Sequence, residues 1–179
     1  IFPKTAKSQR GDFKIDLKKI LKDKALNKNM STYHNKCFYL CSYSIEDGLG
    51  LDKEHELIKK LISYAKKSNQ ELIILPHRRD KIKKSKSYIF SQKVMSHYSG
   101  FESFYSLNNF NNCSFVTLYS TAILYVGDSH PKYFINNMFK PNFKKTFIQK
   151  LFFLNGPSTK EIYEYFLKNN IKEIVYKNL

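Results

Sequence analysis

Arginine is scarce in a strongly basic chain: of the 31 lysines and arginines among 179 residues, only Arg10, Arg78 and Arg79 are arginine. Cysteine is scarce as well. Cys37, Cys41 and Cys113 lack the paired Cys-x-x-Cys spacing of a zinc site, so reduced thiols and no bound metal are the expectation. No apolar run approaches the roughly 20 residues that a membrane-crossing helix needs. No repeat or low-complexity tract appears, and Ile1 to Thr5 has no signal-peptide core. A first residue that is Ile1 rather than Met leads us to expect a piece of something longer.

What is present is charge of one sign. The formal net charge is +16, carried almost entirely by lysine spread along the whole chain, with Asn, Ile, Tyr and Phe also abundant. Such diffuse charge attracts anionic ligands or lipid headgroups. We expect that role rather than dedicated nucleic-acid binding. The length suits one domain with a proper core.

Residues 1–36 are basic and mostly polar, with one weakly amphipathic stretch, Ile15 to Leu21, and read as a linker or packing segment. Residues 37–179 read as an α/β domain, a Rossmann-like and mostly parallel sheet with helices on both faces. Its first strand is expected over Cys37 to Tyr43, where alternation puts Cys37 and Cys41 on one face as small core residues. A loop over Ile45 to Leu51 leads to a helix with Asp52 as N-cap, whose Leu57, Ile58, Leu61, Ile62 and Ala65 recur at three- and four-residue steps. Glu71 to Leu75 is the second strand, and strand, helix, strand is the order of a parallel unit.

Lys81 to Lys86 reads as a solvated loop. Beyond it the sequence predicts a helix over Phe101 to Leu107, a turn-rich break over Asn108 to Asn112, and a strand over Cys113 to Tyr119. Ala122 to Val126 reads as the first turns of a helix ending at Gly127, and Tyr133 to Ile135 as a strand. Pro157-Ser158-Thr159 caps a helix with Ile162, Phe166 and Leu167 on its apolar face, followed by a short last strand at Ile174-Val175.

Three places carry chemistry. Pro76-His77-Arg78-Arg79 follows the second strand, and open parallel sheets bind ligands beyond the carboxyl ends of their strands. The two guanidinium forks suit a phosphate or carboxylate, and His77 can hydrogen-bond or protonate a leaving phosphate; the alternative is a surface histidine in a basic loop. Ser120 and Thr121 lie where a strand runs into a helix, so their hydroxyls and backbone N–H groups either bind phosphate or form an ordinary N-cap. Glu102, the one acid in an aromatic stretch, either accepts the hydroxyls of a ribose or complements a helix dipole.

In this order Pro76-His77-Arg78-Arg79, Phe101-Glu102 and Tyr119-Ser120-Thr121-Ala122 resemble the carboxyl-terminal half of bacterial sialyltransferases of the glycosyltransferase 52 and polysialyltransferase kind. The resemblance covers roughly Cys37 to Val126. It implies one half of a GT-B enzyme, in which this domain holds the cytidine monophosphate part of CMP-sialic acid. His77 would contact and protonate the donor phosphate, Glu102 would bind the ribose, and Ser120 with Thr121 would grip the phosphate. Arg78 stands where the family's motif has proline. His130-Pro131 spells that motif literally but follows the Ser-Thr pair, and is read as a turn.

The family takes its catalytic base from an acidic-acidic-Gly motif in the amino-terminal domain. Glu46-Asp47-Gly48 spells it here, yet a single strand-helix-strand unit separates it from His77. Either this is a chance match in the first strand-to-helix loop, or Asp47 is the base. The implied function is sialyl transfer, with inversion, to a cell-surface glycan such as lipooligosaccharide or capsule. The enzyme would need no cofactor, and would be cytoplasmic at the inner face of the membrane, touching anionic lipid and a lipid-linked glycan acceptor. Two rivals remain: another GT-B transferase using a different nucleotide, and a module for RNA or an acidic polymer, in which lysines alternate with Tyr and Phe.

Overall fold

The computed structural model describes residues 31–41, 51–77, 100–136 and 159–179. Its centre is the strand β2 (Lys36–Leu40), in which Cys37, Phe38, Tyr39 and Leu40 are all buried. A strand apolar on both faces must be covered on both, which is the situation of a parallel sheet sandwiched between helices. Phe38 and Leu40 face one core, while Cys37, Tyr39 and Cys41 face the other, as the alternation of strand side chains requires.

Four further strands pair with it directly or in turn: β3 (Glu71–Leu75), β5 (Ser114–Thr117), β6 (Lys132–Asn136) and β7 (Lys172–Val175). They form one five-stranded sheet of order β3-β2-β5-β6-β7, parallel throughout. The expected α/β class is therefore the observed one. Helix α1 (Leu51–Lys67) joins β2 to β3 and lays Leu57, Ile58, Leu61 and Ala65 on the Cys37 and Tyr39 face. Ile62 is partly buried beside them. Helices α2 (Phe101–Leu107) and α3 (Thr159–Lys168) cover the opposite face through Phe101, Phe104, Tyr105 and Phe166.

The order has a functional consequence. From β2 the chain crosses outward to β3, and from β5 it crosses the other way to β6. The boundary between β2 and β5 is therefore a topological switch point, and its carboxyl edge is where open sheets of this kind hold ligands.

Several elements differ from expectation. The end of the expected linker is strand rather than linker, because β1 (Thr32–His34) pairs in parallel with β4 (Asn109–Asn111) in a separate two-stranded sheet and Lys36 opens β2. The turn-rich reading of Asn108 to Asn112 missed β4, which has a single buried residue, Phe110, and so too little alternation to signal a strand. Each of these short strands runs into its longer continuation through one left-handed asparagine, Asn35 (φ 52°) and Asn112 (φ 50°). Asparagine tolerates that region better than other side chains that have a Cβ. The two amides meet, Asn112 Nδ2 donating to Asn35 Oδ1, and Gln70 Nε2 donates to the Asn112 carbonyl.

Residues 121–125 form a five-residue 3-10 helix instead of the first turns of an α-helix. On α3, Leu167 is 53% exposed, and Tyr163 lies on the apolar face in its place. The helix over Phe101 to Leu107 and the strand over Glu71 to Leu75 have the expected bounds, and β6 and β7 extend the expected Tyr133 to Ile135 and Ile174-Val175 by a residue or two. Helix α1 begins at Leu51, one residue before the expected cap. His130-Pro131 lies in the turn before β6, as read. No helix among the described residues is long and apolar enough to cross a membrane.

Candidate functional site

The parallel register fixes which residues share the carboxyl edge. Leu40 of β2 is level with Leu75 of β3 on one side and with Thr117 of β5 on the other. The Cys41 N–H donates to the Leu75 carbonyl at 3.0 Å, carrying the ladder one residue further. Pro76 and His77 therefore leave β3 at the same level at which Leu118, Tyr119 and Ser120 leave β5. With β2 between them, the two exits stand about two strand spacings apart, on the order of 10 Å. His77 is half-buried, as is Ser120, and Thr121 is exposed. Residues more than forty positions apart in sequence thus emerge on one edge at the switch point.

The turn that presents Ser120 is built by a residue the sequence reading passed over. Thr117 is fully buried, and its hydroxyl donates to the Leu40 carbonyl at 3.0 Å while accepting the Ser120 N–H at 2.9 Å. One side chain thus ties the end of β2 to the third residue beyond β5. The Ser120 carbonyl accepts from the Ile123 N–H, closing the 3-10 helix, whereas the Ser120 hydroxyl makes no capping hydrogen bond. The expected α-helix start is therefore a 3-10 turn whose cap residue has its own N–H committed to Thr117. A buried threonine in an apolar strand was the one available signal. Its partner carbonyl lies 77 residues away, so the sequence does not show it.

Thr117→Val keeps the shape and removes the bridge, leaving a buried carbonyl and an N–H unpaired. The expected cost is about 1–3 kcal/mol in urea unfolding, with Thr117→Ser losing much less. Equal stability of the valine and serine variants would show that the bridge contributes nothing.

Glu102 lies apart from the strand ends. It sits half-buried in the first turn of α2, in the helical layer that packs against the 3-10 helix led by Ser120, and its neighbour Phe101 packs edge-on to Phe115, 6.1 Å between ring centres. Its carboxylate folds back toward Gly100, where an added Cβ would stand 3.4 Å from Oε2. The described residues thus bring His77 and Ser120 to one edge and keep Glu102 in the layer beside it. Arg78 and Arg79 lie outside the described residues, as do Glu46, Asp47 and Gly48, the linker segment Ile15 to Leu21, the Lys81 to Lys86 loop, and Pro157 with Ser158.

The thiols are buried in the layers around the sheet. None is in a disulfide, all three are buried, and burial pushes the Cys37 thiol up to about 11 against the opposing hydrogen bond with Ser114. Burial raises Cys113 in the same direction. A nucleophilic cysteine needs the reverse shift. Among the described residues, no group of three or more His, Cys, Asp or Glu side chains is placed to hold a metal ion.

No family model matches the chain, no curated protein matches it, and no solved structure matches it. The fold and the edge define a class, a doubly wound α/β domain of Rossmann-like type.

Proposed function

We propose that this domain binds a nucleotide phosphate at the carboxyl edge of its sheet and serves as the donor-binding half of a sialyltransferase-like glycosyltransferase. The observation that carries the reading is the common level of Leu75 and Thr117 across Leu40, with His77 just beyond one and Ser120 just beyond the other. An imidazole and a hydroxyl flanking a switch point suit an anion lying across the strand ends, and the neighbouring Arg78 and Arg79 add fixed positive charge in sequence. The donor would be CMP-sialic acid, with His77 acting on the phosphate as it leaves and Ser120 and Thr121 holding it. Glu102 would serve the ribose, and Asp47 or a group from another domain would supply the base for the acceptor hydroxyl. The acceptor would be a cell-surface glycan, taken at the inner face of the cytoplasmic membrane.

Titration with CMP, UMP and CDP tests the donor. The reading expects CMP to bind most tightly, and a preference for the diphosphate would reject sialyl transfer in favour of another GT-B chemistry. Affinity for RNA that falls steeply with salt and survives loss of His77 and Ser120 would mark a polyanion-binding module instead.

A further inference from the structure

We infer that the amino-terminal end of the sheet is a docking face for a bilayer rich in anionic lipid, whatever ligand the opposite edge takes. In a parallel sheet the crossover helices run back against the strands, so α1 and α3 both finish at the end where the strands begin. Their last turns are basic. Lys66 and Lys67 close α1, Lys168 closes α3, and Lys172 opens β7. All four are exposed, and none makes an ion pair among the described residues. They reach from the edge strand β3 to the edge strand β7, four strand spacings or roughly 20 Å.

The acids nearby do not offset this charge. Glu71 is paired with Lys36, and Asp128 with the buried Lys132, while Glu173 accepts from Asn136, the last residue of β6, and so is drawn toward the other end. Lysines in the last turn of a helix ordinarily complement its dipole. That accounts for Lys66, Lys67 and Lys168. It does not account for Lys172, nor for Leu167, which is 53% exposed in the last turn of α3 between these lysines. The chain also enters here, since β1 leads into the start of β2 from Ser31, and residues 1–30 carry nine lysines and arginines against three aspartates.

A bilayer fits this face better than a nucleic acid does. Every described Tyr and Phe is buried or half-buried, so the face presents no exposed ring on which bases would stack. An exposed leucine among spaced lysines instead matches the boundary between headgroups and acyl chains, where apolar burial and attraction to anionic lipid add together. Docked this way, the domain holds its carboxyl edge about one strand length, roughly 15–20 Å, clear of the headgroups and open to solvent.

The test is co-sedimentation of the full chain, at physiological ionic strength, with vesicles of phosphatidylcholine alone and of equal parts phosphatidylcholine and phosphatidylglycerol. Wild type is expected on the mixed vesicles only. The double variant Lys66→Gln with Lys168→Gln should weaken that binding by about 30-fold, roughly fivefold for each lysine near the surface. Lys59→Gln with Lys177→Gln removes the same charge from the middle of α1 and from beyond the far end of β7, and should weaken it by no more than about threefold. Leu167→Ser should weaken it by on the order of tenfold with the charge unchanged. Equal losses from the two lysine pairs would mean that diffuse charge, and not this face, holds the membrane. The inference is overturned as well if wild type binds phosphatidylcholine equally or neither vesicle, if Leu167→Ser has no effect, or if the first pair lowers affinity for poly(U) RNA and leaves vesicle binding unchanged. All these side chains are exposed, and thermal melting of each variant separates loss of binding from loss of fold.

Discussion

On the proposed sialyl-transfer reading, His77→Ala should lower turnover of CMP-sialic acid by about 10²–10⁴-fold, the range for removing a general acid, while the melting temperature stays within a degree or two of wild type. The half-reaction to follow is donor hydrolysis. In that proposed step water would attack the anomeric carbon and give up a proton to bulk solvent, the bond from that carbon to the phosphate oxygen would break, and the departing CMP would take a proton or hydrogen bond from His77. This reaction needs no acceptor and no base for an acceptor hydroxyl, so it can be read on the chain alone. The side chain is half-buried just beyond β3, whose own core residues Leu72 to Leu75 are untouched by the change, which is why the fold should survive. His77→Gln sharpens the result: glutamine can donate a hydrogen bond but cannot deliver a proton. Activity near wild type in the glutamine variant would assign His77 to hydrogen bonding, and unchanged hydrolysis in the alanine variant would remove it from the site.

Phe115→Ala should cost about 3–5 kcal/mol of stability, the range for deleting a large buried aromatic side chain. Phe115 is fully buried at the second position of β5 and sits at the centre of the aromatic core. It stacks on Phe38 at 5.2 Å and meets Phe101, Tyr105, Phe110 and His130 edge-on. A domain of this size has a total stability of about 5–15 kcal/mol, so the change should bring the chain close to unfolding at 37 °C. Urea melts give the measure, with Leu167→Ala as the control. Leu167 is exposed on α3 and should move stability by no more than about 0.5 kcal/mol. A loss below about 1 kcal/mol at Phe115 would mean that the neighbouring rings close over the gap and that the core is loosely packed.

The parts of the fold that were legible in the sequence are those whose signal is local. Leu57, Ile58, Leu61 and Ala65 announce α1 by their spacing alone, and the apolar run before Pro76 announces β3 because a parallel strand is buried on both faces. The carboxyl-edge location of His77 followed from the same reasoning, since a motif placed directly after a buried strand can emerge only at that end. What stayed hidden depends on a distant partner. The three-residue strands β1 and β4 exist only as a pair, 77 residues apart, and neither alternates long enough to be seen. The shape of the Ser120 turn depends on the Leu40 carbonyl, to which Thr117 donates. Tyr119 read as the tail of a strand, because its stacking partner Tyr163 comes from a helix far along the chain. The sequence also overstated Leu167, since a helix ten residues long with one buried face has room for Ile162, Tyr163 and Phe166 there and turns the next position outward.

The facing asparagines at positions 35 and 112 have an evolutionary corollary. Both strands of the central pair bend at the same height, so the two ladders on either side of the bend keep step only while each strand spends one residue on it. Gain or loss of an amino acid in one strand near that bend would throw the outer ladder out of phase with the inner one, and Tyr33 and Phe110 would slide off each other. A length change here keeps both ladders in phase only when it is made in matched pairs, one in each strand.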